Sequence, residues 1–308
     1  MRDGALTEAE RDGVPERAGS NGVTAQAGQD GNTAAAPAPA RQRAGWEAWS
    51  FRIVMGALAG LALVLLFAPT LVVLIVSFTS GLSLRFPPPG FSLRWYAALL
   101  DAQGLQFAAW NSLKVAVATT LLSLLLGVGG ALGIARSPRM QARVLDGLFM
   151  APLVLPALAF GLAALMLFSA VGLPVSPLTL TLGHTVVCVP FVVRNTVASL
   201  QQLDPALLEG SASLGASRLY TLRRVVLPLV RPGILAGGFI CFMASFDNIP
   251  VSLFLRDAAT DMLPIRMWQD LEGKLDVTIA ALSGVLIVAT VAAMLLMERL
   301  AGLSRRLT

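Results

Sequence analysis

The sequence predicts an all-α, polytopic membrane protein with six transmembrane helices and both termini in the cytoplasm, and three observations predict it. Of its 308 residues, 56% are hydrophobic and only 13% charged, whereas soluble domains carry about 45–50% apolar and roughly 25% charged residues. The apolar residues fall in uninterrupted runs, and a helix needs about 20 of them to cross a bilayer. The basic residues gather in alternate connections between those runs, the pattern that sets orientation in a membrane. A net charge of +5 would also suit nucleic acid, but the Arg and Lys residues are dispersed and form no single patch. Membrane lipid is the expected surrounding, with no nucleic-acid partner.

Residues 1–48 are expected to form a disordered cytoplasmic tail. Through residue 44 they mix acids, bases, Gly, Ala and Pro without an apolar core, so they cannot offset their own ordering entropy and are no signal peptide. The membrane domain follows over 49–300, with a short tail at 301–308. Ile53 to Leu84 is free of charge, giving span one at about 53–78. Val115 to Ala135 is also uncharged and follows Asn111 and Ser112, giving span two at about 109–135. Gly147 to Val193 contains no charged residue, room for two spans, about 147–170 and 177–199, turned at Val171-Gly172-Leu173-Pro174. Span five is expected at 233–255 with a single acid, Asp247, and span six at 277–297. Seventeen Lys and Arg residues fall on the side of the termini and five on the other, which places the termini inside. Cys188 and Cys241 lie within apolar runs and read as packed small hydrophobes.

The cytoplasmic connection 204–232 is much longer than the one between spans two and three. Asp204 before Pro205 is a helix start, with an acceptor side chain at the cap and a preset φ after it. Ala206 to Leu214 then reads as a short helix stopped at Gly215, which takes the left-handed cap conformation. A second helix starts at Ser217, with Pro228 and Pro232 expected to break it before span five. Such a helix-turn-helix, with exposed apolar and basic groups, expects a protein partner.

Glu209-Gly210-Ser211, three residues, Gly215, nine residues and Val225-Val226-Leu227-Pro228 resemble the EAA loop of ABC importer permeases. Gly210 and Ser211 depart from that pattern, which usually has two alanines there. Gly90 to Tyr96, Asn111-Ser112-Leu113, Pro152 with Pro156, and Ser245-Phe246-Asp247 are similar to the spermidine/putrescine branch of the same family. The resemblance implies the type I ABC importer permease fold in a bacterial inner membrane and a polyamine substrate. It also implies ABC ATPase subunits, a second permease subunit and a periplasmic substrate-binding protein as partners. Glu209, Gly210, Ser211, Gly215, Ala216, Arg218, Leu227 and Pro228 would then couple the chain to the ATPase. ATP and Mg²⁺ would be bound by that partner, with no cofactor, metal site or catalytic residue in this chain.

Asp247 is the one acid within a span, and such residues mark pathways by default. Asp247, Asn248 and Ser245 are the expected path residues, beside a helix break at Asn248-Ile249-Pro250. Many relatives carry a second acid where Asn248 stands. His184, the only histidine, reads as a packed, hydrogen-bonded residue, Trp95 and Tyr96 as interfacial anchors, and Gly127, Gly129, Gly130 and Gly133 as small-residue packing. The outer loop Arg256 to Asp276, with five acids and three bases, reads either as a dock for the binding protein or as a solvated loop. An enzyme is disfavoured: there is no His-Glu-x-x-His and no phosphate-binding Gly-x-x-x-x-Gly-Lys-[Ser/Thr] loop. A secondary transporter or channel is the alternative class, but such carriers pair related halves around coupling-ion sites, and no internal repeat is visible.

Overall fold

The computed structural model describes residues 43–274 and 276–301, and the chain divides into two units at Ala59 and Gly60. The described part of the first unit, 43–59, is the opening of helix α1 (Arg43–Ser77). The expected tail 1–48 therefore lies outside the described residues except for 43–48, which are helical, and the tail 301–308 lies outside except for Ala301. Regular structure among the described residues is helical, apart from one isolated antiparallel bridge between Thr79 and Phe91. After α1 come α2 (Arg94–Asp101), α3 (Gln103–Arg136), α4 (Arg139–Val154), α5 (Ala157–Ala170) and α6 (Pro177–Gln201). The second half holds α7 (Pro205–Ser213), α8 (Arg218–Thr221), α9 (Leu227–Phe246), α10 (Ile249–Leu255), α11 (Leu263–Lys274) and α12 (Thr278–Ala301). Among the described residues, five stretches are long and apolar enough to cross a bilayer, and a sixth is reached if α4 and α5 count as one span.

Three elements differ from the expected spans. The segment 147–170 is not one helix: α4 and α5 meet at a bend of 101°. Pro156 forces Leu155 out of the helical region, to φ −76° and ψ 141°, because its ring crowds the preceding backbone. Pro228 and Pro232, in contrast, do not separate the cytoplasmic loop from span five. A π turn at Leu222–Val226 joins α8 to α9, with the Leu227 N–H bonded to the Leu222 carbonyl. This wider turn shifts the hydrogen-bond ladder just ahead of Pro228, and the run from Arg218 to Phe246 continues through both prolines as one helix. The helix then ends at Phe246, short of 255, and restarts as α10 beyond Asp247 and Asn248.

Within the second unit α6 is central: 61% of its apolar stretch is buried, against 22% for α12. It packs between α3 and α9. Val192, Cys188 and Cys241 form one buried cluster and Ile134, Val189 and Val193 another; both cysteines are free thiols. Small residues bring the backbones together. A Cβ at Gly237 would stand 3.0 Å from Val192 Cα and 3.2 Å from the Phe191 carbonyl, and one at Gly127 would stand 2.7 Å from Val192 Cβ. Gly130 lies similarly tight against Phe149, whereas Gly129 and Gly133 face open space. Only two of the four glycines expected to pack in span two do so, and the tighter seam, through Gly233 and Gly237 on α9, was not expected.

Candidate coupling surface and translocation path

The loop after α6 folds by local rules. Asp204 accepts the Ala206 N–H at 2.9 Å, and Pro205 opens α7. At the other end Gly215 has φ +76°, a conformation that a side chain disfavours. The Gly215 N–H reaches the Ala212 carbonyl at 2.9 Å and the Ala216 N–H the Ser211 carbonyl at 3.1 Å, which completes a Schellman stop. Ser217 then caps α8 through the Tyr220 N–H. The Ser211 hydroxyl lies 2.7 Å from Thr221 Oγ1. The serine that departs from the small-apolar pattern thus pins α7 to α8, a role visible only once both helices are placed.

The helix pair carries apolar side chains that no described residue covers. Leu207, Leu208, Leu214, Leu219 and Tyr220 are all exposed, Leu214 at 88%. Glu209, Gly210, Arg218, Arg223 and Arg224 are exposed beside them, Ser211 and Ala216 half-buried. Leu227 and Pro228 sit at the start of α9, behind the π turn. A cavity of about 640 Å³ lies behind the pair, lined among others by Leu132, Arg136, Leu200, Leu208 and Val226.

Asp247 stands at the break between α9 and α10. It is exposed, and its carboxylate makes no ion pair or hydrogen bond among the described residues. Asn248 is half-buried, and its side-chain oxygen accepts the Val251 N–H at 3.0 Å, capping α10. Ser245 is placed otherwise than expected for a path residue. It is fully buried, and its hydroxyl lies 2.9 Å from His184 Nδ1. His184 Nε2 lies 3.0 Å from Ser252 Oγ on α10. The lone histidine is indeed packed and hydrogen-bonded, on both sides of the break.

The outer connection is an ordered structure docked onto α3. The Asn111 amide donates to the carbonyls of Ala259 at 3.1 Å and Asp261 at 3.3 Å, and Ser112 Oγ accepts the Leu263 N–H at 2.8 Å. Arg256 pairs with Asp261 at 2.8 Å, and Arg266 reaches Asp261 at 3.8 Å and Asp270 at 3.3 Å. Asp257 caps the turn at Ala258–Thr260. The Thr260 hydroxyl, ahead of the Thr260 and Ala259 amides, holds the Asp257 carboxyl below the usual carboxylate range. Trp95 and Tyr96 lie on α2, where the Trp95 indole donates to the Gly81 carbonyl and the Tyr96 hydroxyl meets Ser77 Oγ at 2.8 Å. Among the described residues, no three His, Cys, Asp or Glu side chains gather to hold a metal.

Residues 123–306, more than half of the chain, match the family described as the binding-protein-dependent transport system inner membrane component. The chain belongs to that family. It is a permease subunit of an ABC importer, a multi-pass membrane component, and hydrolysis of ATP resides in a separate subunit. This sets aside the secondary-transporter and channel alternatives.

The permease is 28% identical to the spermidine/putrescine transport system permease protein PotC of Escherichia coli, over 72% of this chain and 84% of that one. It is 29% identical to the putrescine transport system permease protein PotI of the same organism, over 71% and 80%. Among solved structures, a bacterial ABC transporter involved in the import of alginate superposes with a TM-score of 0.63 at 15% identity, covering 85% of this chain and 99% of that one. The MetNI methionine ABC transporter superposes with a TM-score of 0.52 at 18% identity, covering 66% and 96%. At these identities the two structures establish the type I importer fold alone.

Proposed function

We propose that this permease carries a polyamine inward across the bacterial inner membrane, with ABC ATPase subunits docked on 204–232, a second permease subunit and a periplasmic binding protein. The substrate class is supported by the two relatives named for spermidine and putrescine transport. The observation that carries it in this chain is Asp247, an exposed carboxylate at a helix break with no ion pair among the described residues. A charge at membrane depth is costly unless it faces water, a partner or a substrate, and a polycation is such a substrate.

Coupling runs through Glu209, Gly210, Ser211, Gly215, Ala216, Arg218, Leu227 and Pro228. The exposed leucines of α7 and α8 supply apolar contact area, and Arg218, Arg223 and Arg224 supply charge for acidic groups on the ATPase. The partner ATPase would bind ATP and Mg²⁺, and its closure would push the α7–α8 pair. That push reaches α9 without a hinge, because the π turn keeps α8 and α9 in one continuous helical run.

The test is co-purification of the detergent-solubilised permease with its ATPase, followed by uptake of radiolabelled putrescine and spermidine into proteoliposomes. The native chain retains the ATPase and supports uptake, whereas Glu209→Ala and Gly215→Asp lose the ATPase or its coupling. An ATPase that binds all three chains alike and drives uptake equally in each would end the coupling assignment. Coupled ATP hydrolysis with neither polyamine accumulated would end the substrate assignment alone.

A further inference from the structure

The break between α9 and α10 is bridged by a residue of a third helix. His184 on α6 has no accessible surface. Its Nδ1 lies 2.9 Å from Ser245 Oγ in the last turn of α9, and its Nε2 lies 3.0 Å from Ser252 Oγ in the first turn of α10. A neutral imidazole has one donor and one acceptor nitrogen, and a hydroxyl serves as either, so both bonds form in either tautomer. Both serines are also fully buried, so in the native chain the ring, not solvent, is the partner that their hydroxyls meet.

The surroundings hold α10 and the end of α9 separately: the last turn of α9 packs Ala244 on the cluster of Cys188, Val192 and Cys241, and Phe246 on that of Leu105, Ala108, Leu263 and Leu282. A Cβ at Gly183 would stand 2.5 Å from Leu255 Cδ1 and 3.2 Å from Val251 Cγ1, and one at Gly161 would stand 2.8 Å from the Pro250 carbonyl. α10 is thus held in close contact by α5 and α6. The chain between α9 and α10 is only Asp247 and Asn248, and the Asn248 cap acts forward on α10. The direct tie from the last turn of α9 to α10 is Ser245–His184–Ser252.

We infer that His184 is a positioning residue for the translocation path. By bonding both sides of the break it sets the angle between α9 and α10, and so the direction in which Asp247 is presented. The inference takes Asp247 as a path residue, as proposed above. His184 itself touches no substrate, since its ring is enclosed. A movement of α9 driven from the cytoplasmic loop has to turn about this clamp or break it.

The test uses the assembled importer in lipid nanodiscs and two measurements. Spin labels on Ile240→Cys and Leu253→Cys, whose native side chains are 41% and 47% exposed, report the α9–α10 geometry by pulsed electron resonance; Cys188 and Cys241 are buried and stay unlabelled. Loss of both bonds in His184→Leu widens the distance distribution about two-fold, and His184→Gln, whose amide again donates and accepts, narrows it. The double variant Ser245→Ala/Ser252→Ala keeps the ring and its packing, and gives the same widening should His184→Leu fail to assemble. An unchanged distribution in the variants lacking these bonds overturns the inference, and so does equal widening in the Leu and Gln variants. The second measurement is the rate at which a charged, water-soluble thiol reagent modifies Asp247→Cys, which changes about five-fold when His184→Leu is added. A thiol at 247 that is inert in every background, with the distribution still widening, sinks Asp247 as a path residue and leaves the clamp standing.

Discussion

The Ser112 hydroxyl accepts the backbone N–H of Leu263 at 2.8 Å, joining α3 to the start of α11 across 151 positions of sequence. Both residues are buried, at 0% and 1% exposure. Ser112→Ala therefore leaves a buried N–H with no partner, at a cost of about 1–3 kcal/mol. The expected outcome is faster proteolytic cleavage within 256–274 in the assembled importer, with the rest of the chain intact. Cleavage at the native rate would mean that the Asn111 bonds hold the segment without Ser112.

Gly237 and Gly129 give a matched pair on the question of packing. A side chain at Gly237 meets the α6 backbone at Val192 and Phe191, whereas one at Gly129 meets nothing within 4 Å. Gly237→Ala should destabilise the permease by about 1–3 kcal/mol, the usual range for overpacking. Gly129→Ala should be neutral or slightly stabilising, since Ala is the better helix former. Thermal unfolding followed by size-exclusion chromatography separates the two. Equal melting temperatures would show that α6 and α9 yield at this seam.

These contacts mark what could and could not be read in the sequence. The Asp204-Pro205 start, the Gly215 stop and the Gly172 turn follow from the local preferences of single residues, and each stands where the sequence put it. The proline breaks did not all transfer. Pro156 bends its span by 101°, yet Pro228 is absorbed, and the difference lies in the π turn before it rather than in the proline. Ser245, Asn111 and Ser112 were visible as motif residues, but their work is done across the fold. Ser245 faces His184 and the other two grip the outer connection, contacts that no spacing rule encodes.

Asp257 supplies the pH dependence. Its carboxyl lies below the usual range through the Thr260 hydroxyl first and the nearby amides second. A depressed folded value means that the stabilisation is present above the unfolded pKa, near 3.9, and is lost as pH falls through the lower, folded value. Asp257 is exposed, so solvent screening confines the effect to the turn itself. Hydrogen-exchange protection at 257–263, corrected for intrinsic rates, should hold from neutral pH through about pH 4 and fall only below it. Thr260→Val should move that fall to higher pH. Coincident curves for the two chains would show that the hydroxyl does not set the carboxyl's acidity.

Asp247 and Asn248 test the charge of the path directly. Asp caps a helix as well as Asn does, so Asn248→Asp keeps the bond to the Val251 N–H while adding a second carboxylate at the break. Asp247→Asn removes the charge that is there at nearly constant volume. A unit charge about 4 Å away contributes about 1 kcal/mol in water and more at lower dielectric, which is a five-fold change or greater. Putrescine uptake by the reconstituted importer should therefore show a higher half-saturation concentration in Asp247→Asn and a lower one in Asn248→Asp, provided the binding protein is supplied in excess. The maximal rate in Asn248→Asp should drop as release becomes slower, because a path that holds its cargo more tightly also lets it go less readily. If both variants keep the native half-saturation and rate, the carboxylate at 247 does not meet the polycation, and selection rests with the binding protein alone.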